Sequence, residues 1–404
     1  MLNSTIKKFA YYPLSPKMTT AWFHASSPPF NDNSPESILV IRLDGIGDLV
    51  LTTPFLRELR RNYPKSHITL IIRPETKNLF EFCPYCDEIL TFGLRRPRHV
   101  FRYLLHIWAY LWAKKLRKKH FSWAIIPRWD EDRYHATILA YFSGAKRRIA
   151  FSETVNTVKA AYNEGFDMLL TDPVPCPKES HEVLMTLSLI SYLGGNIESN
   201  TTEMWLTNED RRFARTYLHH FSKKLYIAIA PGALDQNKLW PLERYYELSA
   251  WLVTTFNAAI VILGGNNEKW MGKKIAKCLP CDSVLDMTGK ATLRQVGAVL
   301  GYCRLFIGND TGVKHIAAAM NVKVIEISRF PKNGSCMHPQ SPFRFRAWGV
   351  KNIVLQPEHA ISPCNDCCLS KEAHCILMVD LLSVQNAVSK SINELKKSRM
   401  LSAL

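Results

Sequence analysis

Apolar and polar positions along this chain fall into two alternating rhythms. Ile38 to Leu43 is an apolar, β-branched run of strand length. Similar short runs follow at 67–72, 88–91, 122–127 and 147–150. Between them, apolar residues recur at helical spacing, as in Leu49, Val50, Thr53, Leu56 and Leu59 of a helix expected over Asp48–Arg61. The pattern then loosens. Helices are expected over His181–Leu193, ending at Gly194-Gly195, and over Glu209–Phe221. A second series begins with strands at 225–230, 259–263, 283–286, 304–307 and 322–327 and helices at 242–256, 269–278, 292–301 and 312–320. Strand–helix alternation of this kind predicts parallel sheets covered by helices. The expectation is an α/β chain with two Rossmann-like, doubly wound domains facing across a cleft, with ligands at the carboxyl ends of the strands.

The expected organisation is a disordered, proline-rich tail over 1–36, an N-terminal domain over 37–210, a C-terminal domain over 211–385 and a C-terminal helix or tail over 386–404. A chain of 404 residues exceeds the usual single-domain size, and a 47% apolar content supports well-filled cores. No apolar run is long enough to span a bilayer, and no secretory h-region opens the sequence, so the expected location is cytoplasmic. Eleven cysteines without such a signal read as reduced thiols rather than a disulfide scaffold. The formal charge of +17 favours anionic partners, whether phosphorylated substrates, an acidic membrane surface or nucleic acid, without saying which. No nucleic-acid motif accompanies it, so no nucleic-acid partner is expected.

The richest stretch is Ile38-Leu-Val-Ile-Arg-Leu-Asp-Gly-Ile-Gly-Asp-Leu-Val50. Its glycines make a tight turn between a strand and a helix, which aims backbone N–H groups and a partial positive charge at one spot. Asp48 lies at that spot. Its position alone leaves two roles open, a catalytic base and a helix-dipole partner. A dinucleotide fingerprint is disfavoured: Val50 stands where the third glycine would fall, and the strand 67–72 ends in Arg73 rather than an acidic residue.

Three further patterns have bland and sharp readings. Cys83-Pro-Tyr-Cys86 follows a helix instead of opening one after a strand, which argues against a redox pair. Phe101 to Lys119 has a wide aromatic and aliphatic face with basic flanks at Arg95, Arg96, Arg98, Lys114, Lys115, Arg117, Lys118 and Lys119. It reads as a core helix with a solvated basic end or as a helix on an anionic bilayer surface. Asp130-Glu-Asp132 is an Asp-x-Asp that reads as an acidic loop or a metal-diphosphate pair.

The second half places three glycine- and polar-rich turns at successive strand ends. In Pro231-Gly-Ala-Leu-Asp-Gln-Asn-Lys-Leu-Trp-Pro241, small residues let N–H groups approach a phosphate and Lys238 supplies charge. In Gly264-Gly-Asn-Asn-Glu268 a carboxylate can accept from ribose hydroxyls. In Asn309-Asp-Thr-Gly-Val-Lys-His315, Asp310 is expected to cap a helix whose N-terminus carries Thr311 and Gly312. In order on one edge, they describe a nucleotide-diphosphate site.

With these motifs, from about Ile38 to about Val388, the chain resembles glycosyltransferase family 9, the ADP-heptose lipopolysaccharide heptosyltransferases and their relatives. The resemblance rests on Arg42 with Gly47-Asp48, Pro231-Gly232 to Trp240-Pro241, Asn309-Asp-Thr-Gly-x-x-His315, and a C-terminal group of Cys364, Cys367, Cys368 and Cys375 with Asp380. It implies a GT-B fold and inverting sugar transfer from an ADP-sugar, without metal or other cofactor, to a lipid-linked or glycan acceptor. By resemblance Asp48 is the base. Gly232, Lys238, Glu268, Asp310, Thr311, Gly312 and His315 bind the donor. Arg42, Gly47, Arg128 and Asp130 stand on the acceptor side. The Pro-Arg-Trp-Asp-Glu-Asp segment after Ile126 and Lys314 both depart from the family pattern. The cysteine group lacks a second pair at finger spacing and reads as a reduced structural cluster rather than a zinc site. The rival readings are an NADP-dependent oxidoreductase and a non-catalytic basic protein docking on membranes or nucleic acid.

Overall fold

The computed structural model describes residues 35–93, 110–175, 180–219, 225–336, 338, 340–365 and 367–401, the last five by backbone alone. The aromatic cluster expected at Tyr11, Tyr12, Trp22 and Phe23, and the stretch 94–109 with Arg95, Arg96 and Arg98, lie outside them. The chain divides into two compact units. One comprises the residues to Gly45 and Thr52–Asn200; the other comprises Ile46–Leu51 and Thr201 onward.

The first unit is built on a six-stranded parallel sheet: β1 (Ser37–Ile41), β2 (His67–Ile72), β3 (Glu88–Thr91), β4 (Trp123–Ile126), β5 (Arg147–Phe151) and β6 (Asp172–Val174), in the order β3-β2-β1-β4-β5-β6. Val40 sits between Leu70 and Ile125 in register. Ile38 to Ile41 are wholly buried, as expected for a central strand with both faces covered. The second unit repeats the topology. Its strands are β7 (Leu225–Ala230), β8 (Ala258–Ile262), β9 (Val284–Asp286), β10 (Leu305–Asn309), β11 (Lys323–Ile327) and β12 (Asn352–Leu355), in the order β12-β11-β10-β7-β8-β9. In each sheet the winding reverses at one place, between β1 and β4 and between β7 and β10. The carboxyl ends flanking such a reversal diverge and leave room for a ligand.

Two edge strands escape the periodicity reading. β6 is only Asp172-Pro-Val174, and proline is tolerated because the strand pairs on one side alone. β12 pairs only with β11.

The helix expected over Asp48–Arg61 is two helices, α1 (Ile46–Leu51) and α2 (Thr53–Asn62), separated at Thr52. Pro54 is the cause. It has no N–H to continue the α1 ladder, but it is well suited to the first turn of a new helix. α1 also starts before Asp48, which makes that carboxylate a first-turn residue.

The helices that matter below are α3 (Ala136–Phe142), α4 (Thr157–Tyr162) and α5 (Glu182–Tyr192) in the first unit, and α6 (Leu242–Phe256), α7 (Gly312–Ala319) and α8 (Leu381–Leu401) in the second. α8 crosses the boundary expected at 385/386. Its Val384, Ala387, Val388 and Ile392 pack into the core around β7, β8, β10 and β11, so these residues form no separate tail.

Candidate functional site

The second sheet's reversal point is held together by Asn309, the last residue of β10. Its side-chain amide donates to Pro231 O at 2.8 Å. Its carbonyl accepts from Trp240 N at 3.3 Å and from the Tyr245 hydroxyl at 3.1 Å. One buried side chain thus pins both ends of the Pro231–Pro241 loop to the neighbouring strand. Trp240 anchors the loop's far end: its ring is 1% exposed and lies edge-on to Tyr245, and its indole N–H donates to Val379 O at 2.7 Å. Sequence reasoning quoted Asn309 without giving it this role.

Lys238 and Asp310 meet at that point. The Lys238 ammonium lies 2.7 Å from one carboxylate oxygen of Asp310, and the Lys314 ammonium lies 2.6 Å from the other. Lys314, fully buried, also contacts Glu326 of β11 at 2.7 Å. Burial opposes ionisation of Asp310, but the two ammonium groups outweigh it and hold the carboxyl far below the usual range. Burial raises Glu326 and Lys314 only partly offsets it. Burial opposes the charge on Lys314, yet its two carboxylate partners raise it above the ordinary lysine value. The departure at Lys314 therefore has a physical reason: it is the counter-ion of two carboxylates. The signal was present in the sequence as an Asp310/Lys314 pair at i,i+4 and a lone acid in the apolar run of β11.

Asp310 is not the cap of the following helix. Both of its oxygens are taken by lysines, and the N-cap of α7 is Thr311, whose side chain makes no capping bond. The Thr311 hydroxyl oxygen is buried and has no hydrogen-bond partner among the described residues. A buried hydroxyl without a partner is costly, so this one is poised for a group supplied from outside. Glu268 lies across Gly232 and accepts from Gly265 N–H. A Cβ on Gly232 would sit 2.4 Å from Glu268 Cγ, so this glycine makes room for a carboxylate.

α1 packs on α7 through two facing glycines. A Cβ on Gly312 would lie 2.8 Å from Ile46 Cβ and 3.1 Å from Gly47 N, and one on Gly47 would lie 2.6 Å from His315 Cδ2. Asp48, half-buried, follows Gly47 directly, and His315 is 5% exposed. Gly47, Gly312 and His315, read apart in the sequence as acceptor-side and donor-side residues, thus touch one another.

The first sheet's reversal point carries a cluster of its own. Arg42, 1% exposed, lies 2.8 Å from Asp44 and 2.9 Å from Glu182 of α5, and donates to Pro127 O. It is a buried clamp between β1, β4 and α5, a different role from the acceptor contact implied by resemblance. Arg128 closes on the other oxygen of Asp44 and donates to Glu131 O at 2.6 Å. Burial lowers Arg128, with Asp130 opposing that effect. Asp130 is buried, and Asp132 caps α3, accepting from Ala136 N at 3.0 Å and Thr137 N at 2.7 Å. That engagement favours the acidic-loop reading over a metal pair. Lys159 of α4 is buried nearby, donates to Phe151 O at 2.7 Å, and is pulled down to about 8 by burial.

Two other expectations have structural answers. Cys83 and Cys86 lie 3.9 Å apart as free thiols, and contact with Cys83 and burial push Cys86 well up, away from redox reactivity. The described part of the 101–119 stretch is helical over 110–116, with Ala113 and Leu116 buried in the core and Tyr110 and Trp112 packed against it. Lys114, Lys115 and Lys118 are exposed. No helix of the described residues is long and apolar enough to cross a membrane.

Two parallel sheets of identical winding make up a GT-B fold. The sequence profile of glycosyltransferase family 9 (heptosyltransferase) matches residues 111–365, and the chain belongs to that family. It is 23% identical over 284 residues to lipopolysaccharide heptosyltransferase 3 of Escherichia coli, covering 70% of this chain and 80% of that protein. A family 9 glycosyltransferase from Veillonella parvula superposes with a TM-score of 0.73 at 20% identity, covering 91% of this chain and 99% of that one. E. coli heptosyltransferase WaaC with ADP superposes with a TM-score of 0.64 at 16% identity, covering 88% and 99%. Neither the oxidoreductase nor the non-catalytic reading finds support.

Proposed function

We propose that this chain transfers heptose from an ADP-activated donor to a lipopolysaccharide-core or related lipid-linked glycan acceptor, inverting the anomeric centre. The names of its relatives support the sugar, the nucleotide and the acceptor class. The observation that carries the reading within this chain is the buried, unpartnered Thr311 hydroxyl at the start of α7, beside Lys238. A diphosphate oxygen there gains a hydroxyl donor, the α7 N-terminal N–H groups and a nearby ammonium. Glu268, laid over Gly232, takes the ribose hydroxyls.

As the bond from the anomeric carbon to the diphosphate oxygen breaks, negative charge grows on the leaving ADP and positive charge on the sugar ring. Lys238, Thr311 and Gly312 N–H stabilise the leaving group with dipoles already in place. The acceptor hydroxyl oxygen attacks the anomeric carbon and gives its proton to Asp48. His315 and Gly47 hold α1 against α7, which fixes that carboxylate. Arg128 and Asp130 serve the acceptor. No Mg²⁺ or Mn²⁺ is needed, because cationic side chains carry the leaving-group charge.

Asp48→Asn tests the assignment. Turnover falls by roughly 10²–10⁴-fold if the carboxylate is the base, while ADP affinity holds. If Asp48 serves only the helix dipole, stability falls by about 0.3–1 kcal/mol and turnover persists. A variant that transfers sugar at the wild-type rate removes Asp48 from the mechanism. The same assay, run with ADP-heptose and with UDP-sugars, tests the donor.

A further inference from the structure

The segment between β12 and α8 has little regular structure beyond the short turn Cys375–Met378. Its own apolar cluster is small: Cys364, Cys368 and Cys375, with only Ala360 and Ile361 packed against them. Ile376 and Val379 anchor the end of the segment in the second unit's main core, but around the cysteines themselves such small side chains bury little apolar area. Yet the loop is tightly arranged. Cys364 and Cys368 are 5% exposed and Cys375 is wholly buried. One ligand atom each from Cys364, Cys368, His374 and Cys375 all lie within 4.8 Å of one another.

We propose that Cys364, Cys368, His374 and Cys375 bind one structural zinc ion. The distances fit. His374 Nδ1 is 3.7 Å from Cys364 Sγ and 3.4 Å from Cys375 Sγ. A tetrahedral ion with Zn–S of about 2.3 Å and Zn–N of about 2.0–2.1 Å sets sulfur and nitrogen about 3.5 Å apart. All three cysteines are free thiols. Leu369 N–H donates to Cys364 Sγ at 3.2 Å and Ile361 N–H to Cys375 Sγ at 3.4 Å. Such N–H groups stabilise thiolates once a cation draws off the protons, and they orient the sulfurs inward. Three sulfurs and an imidazole form a closed, soft donor set that leaves no open position, the pattern of a structural site.

The sequence hides this arrangement, because it has no second Cys-x-x-Cys. The fourth ligand is a histidine adjacent to the last cysteine, and only the fold brings it round. The site has a position relevant to the donor edge. Asn237 donates to Ser370 O in the same loop, the Trp240 indole N–H donates to Val379 O, and Arg244 donates to Leu377 O at 2.8 Å. Zinc at the cysteines braces the loop that supports Lys238.

Metal analysis of the full-length protein, purified without chelator or metal-affinity resin, tests the proposal. Zinc is expected at about one ion per chain. After exchange, cobalt is expected to give the near-ultraviolet thiolate charge-transfer bands and the intense visible bands of a tetrahedral site. Cys368→Ser loses the metal, whereas Cys278→Ser and Cys281→Ser, at exposed positions, retain it. Alkylation with mass mapping gives a readout on the wild-type chain should Cys368→Ser fold poorly. Cys364, Cys368 and Cys375 stay unmodified until zinc is chelated, then react together. Sub-stoichiometric zinc with no cobalt uptake, a disulfide among the three, or full zinc retention in Cys368→Ser each overturns the assignment.

Discussion

Lys314 shows how a single buried side chain can organise the reversal point of the second sheet. It touches both Asp310 and Glu326, and it is 0% exposed. Truncating it leaves Glu326 in the sheet core without its cation, and breaking a buried pair by one partner costs about 3–5 kcal/mol. Lys314→Met is therefore expected to lower the melting temperature sharply. Glu326→Leu added to it should recover most of the loss, because two apolar groups then replace the pair. Asp310 in the single variant keeps only Lys238, which draws that ammonium away from a diphosphate, so ADP affinity falls as well. A Lys314→Met variant as stable as the wild type would falsify the network. Half of this arrangement was legible: Asp310 and Lys314 stand four residues apart where a loop enters a helix, but Glu326 arrives from a different strand, and no local rule predicts that partner.

At the scale of elements, the decisive contact is α1 against α7. The periodicity of the sequence located both helices and the strands before them, because apolar runs of strand and helix length are strong local signals. It missed the break at Thr52, since Pro54 fits either a kinked helix or the first turn of a new one. It also missed two edge strands, β6, which carries Pro173, and β12. Above all, it read Gly47 as a turn glycine and Gly312 as a helix N-terminus. The fold gives them a packing reason: each lacks a Cβ so that two helices can touch. Gly312→Ala must push Ile46 and the Gly47 backbone away, and overpacking of this kind costs about 1–3 kcal/mol. It also displaces Asp48, and a misplacement near 1 Å can cost about 10²-fold in rate. Gly47→Ala presses chiefly on the His315 imidazole and reaches the Gly312 backbone only at ordinary contact distance, so its effect is expected to be smaller. Rates and melting temperatures of the two variants check the order. Equal, near-wild-type rates would show that the α1–α7 approach does not govern Asp48.

At the scale of the whole molecule, the +17 charge is the property that composition alone disclosed. Its use depends on where the charges stand. The described helical turns at 110–119 bury Ala113 and Leu116 in the first unit's core, so those apolar positions are not available to a bilayer. Lys114, Lys115 and Lys118 remain exposed, whereas Lys119 is held by Glu88 at 2.7 Å. Any attraction from this part of the chain to a membrane is then electrostatic and does not require insertion. A lipid-linked acceptor would make such attraction useful, by concentrating the enzyme where its substrate lies. The purified chain should bind vesicles containing phosphatidylglycerol, ignore pure phosphatidylcholine, and lose binding as salt shortens the screening length. Reversing Lys114, Lys115 and Lys118 to glutamate should weaken binding by about 1 kcal/mol per charge, near the usual contribution of a basic residue at an anionic surface. Lys119 is left in place, because reversing it would set two acids against each other and confuse affinity with stability. If the triple variant sediments with anionic vesicles as well as the wild type does at low salt, these lysines are ordinary solvated surface and the chain reaches its acceptor without them.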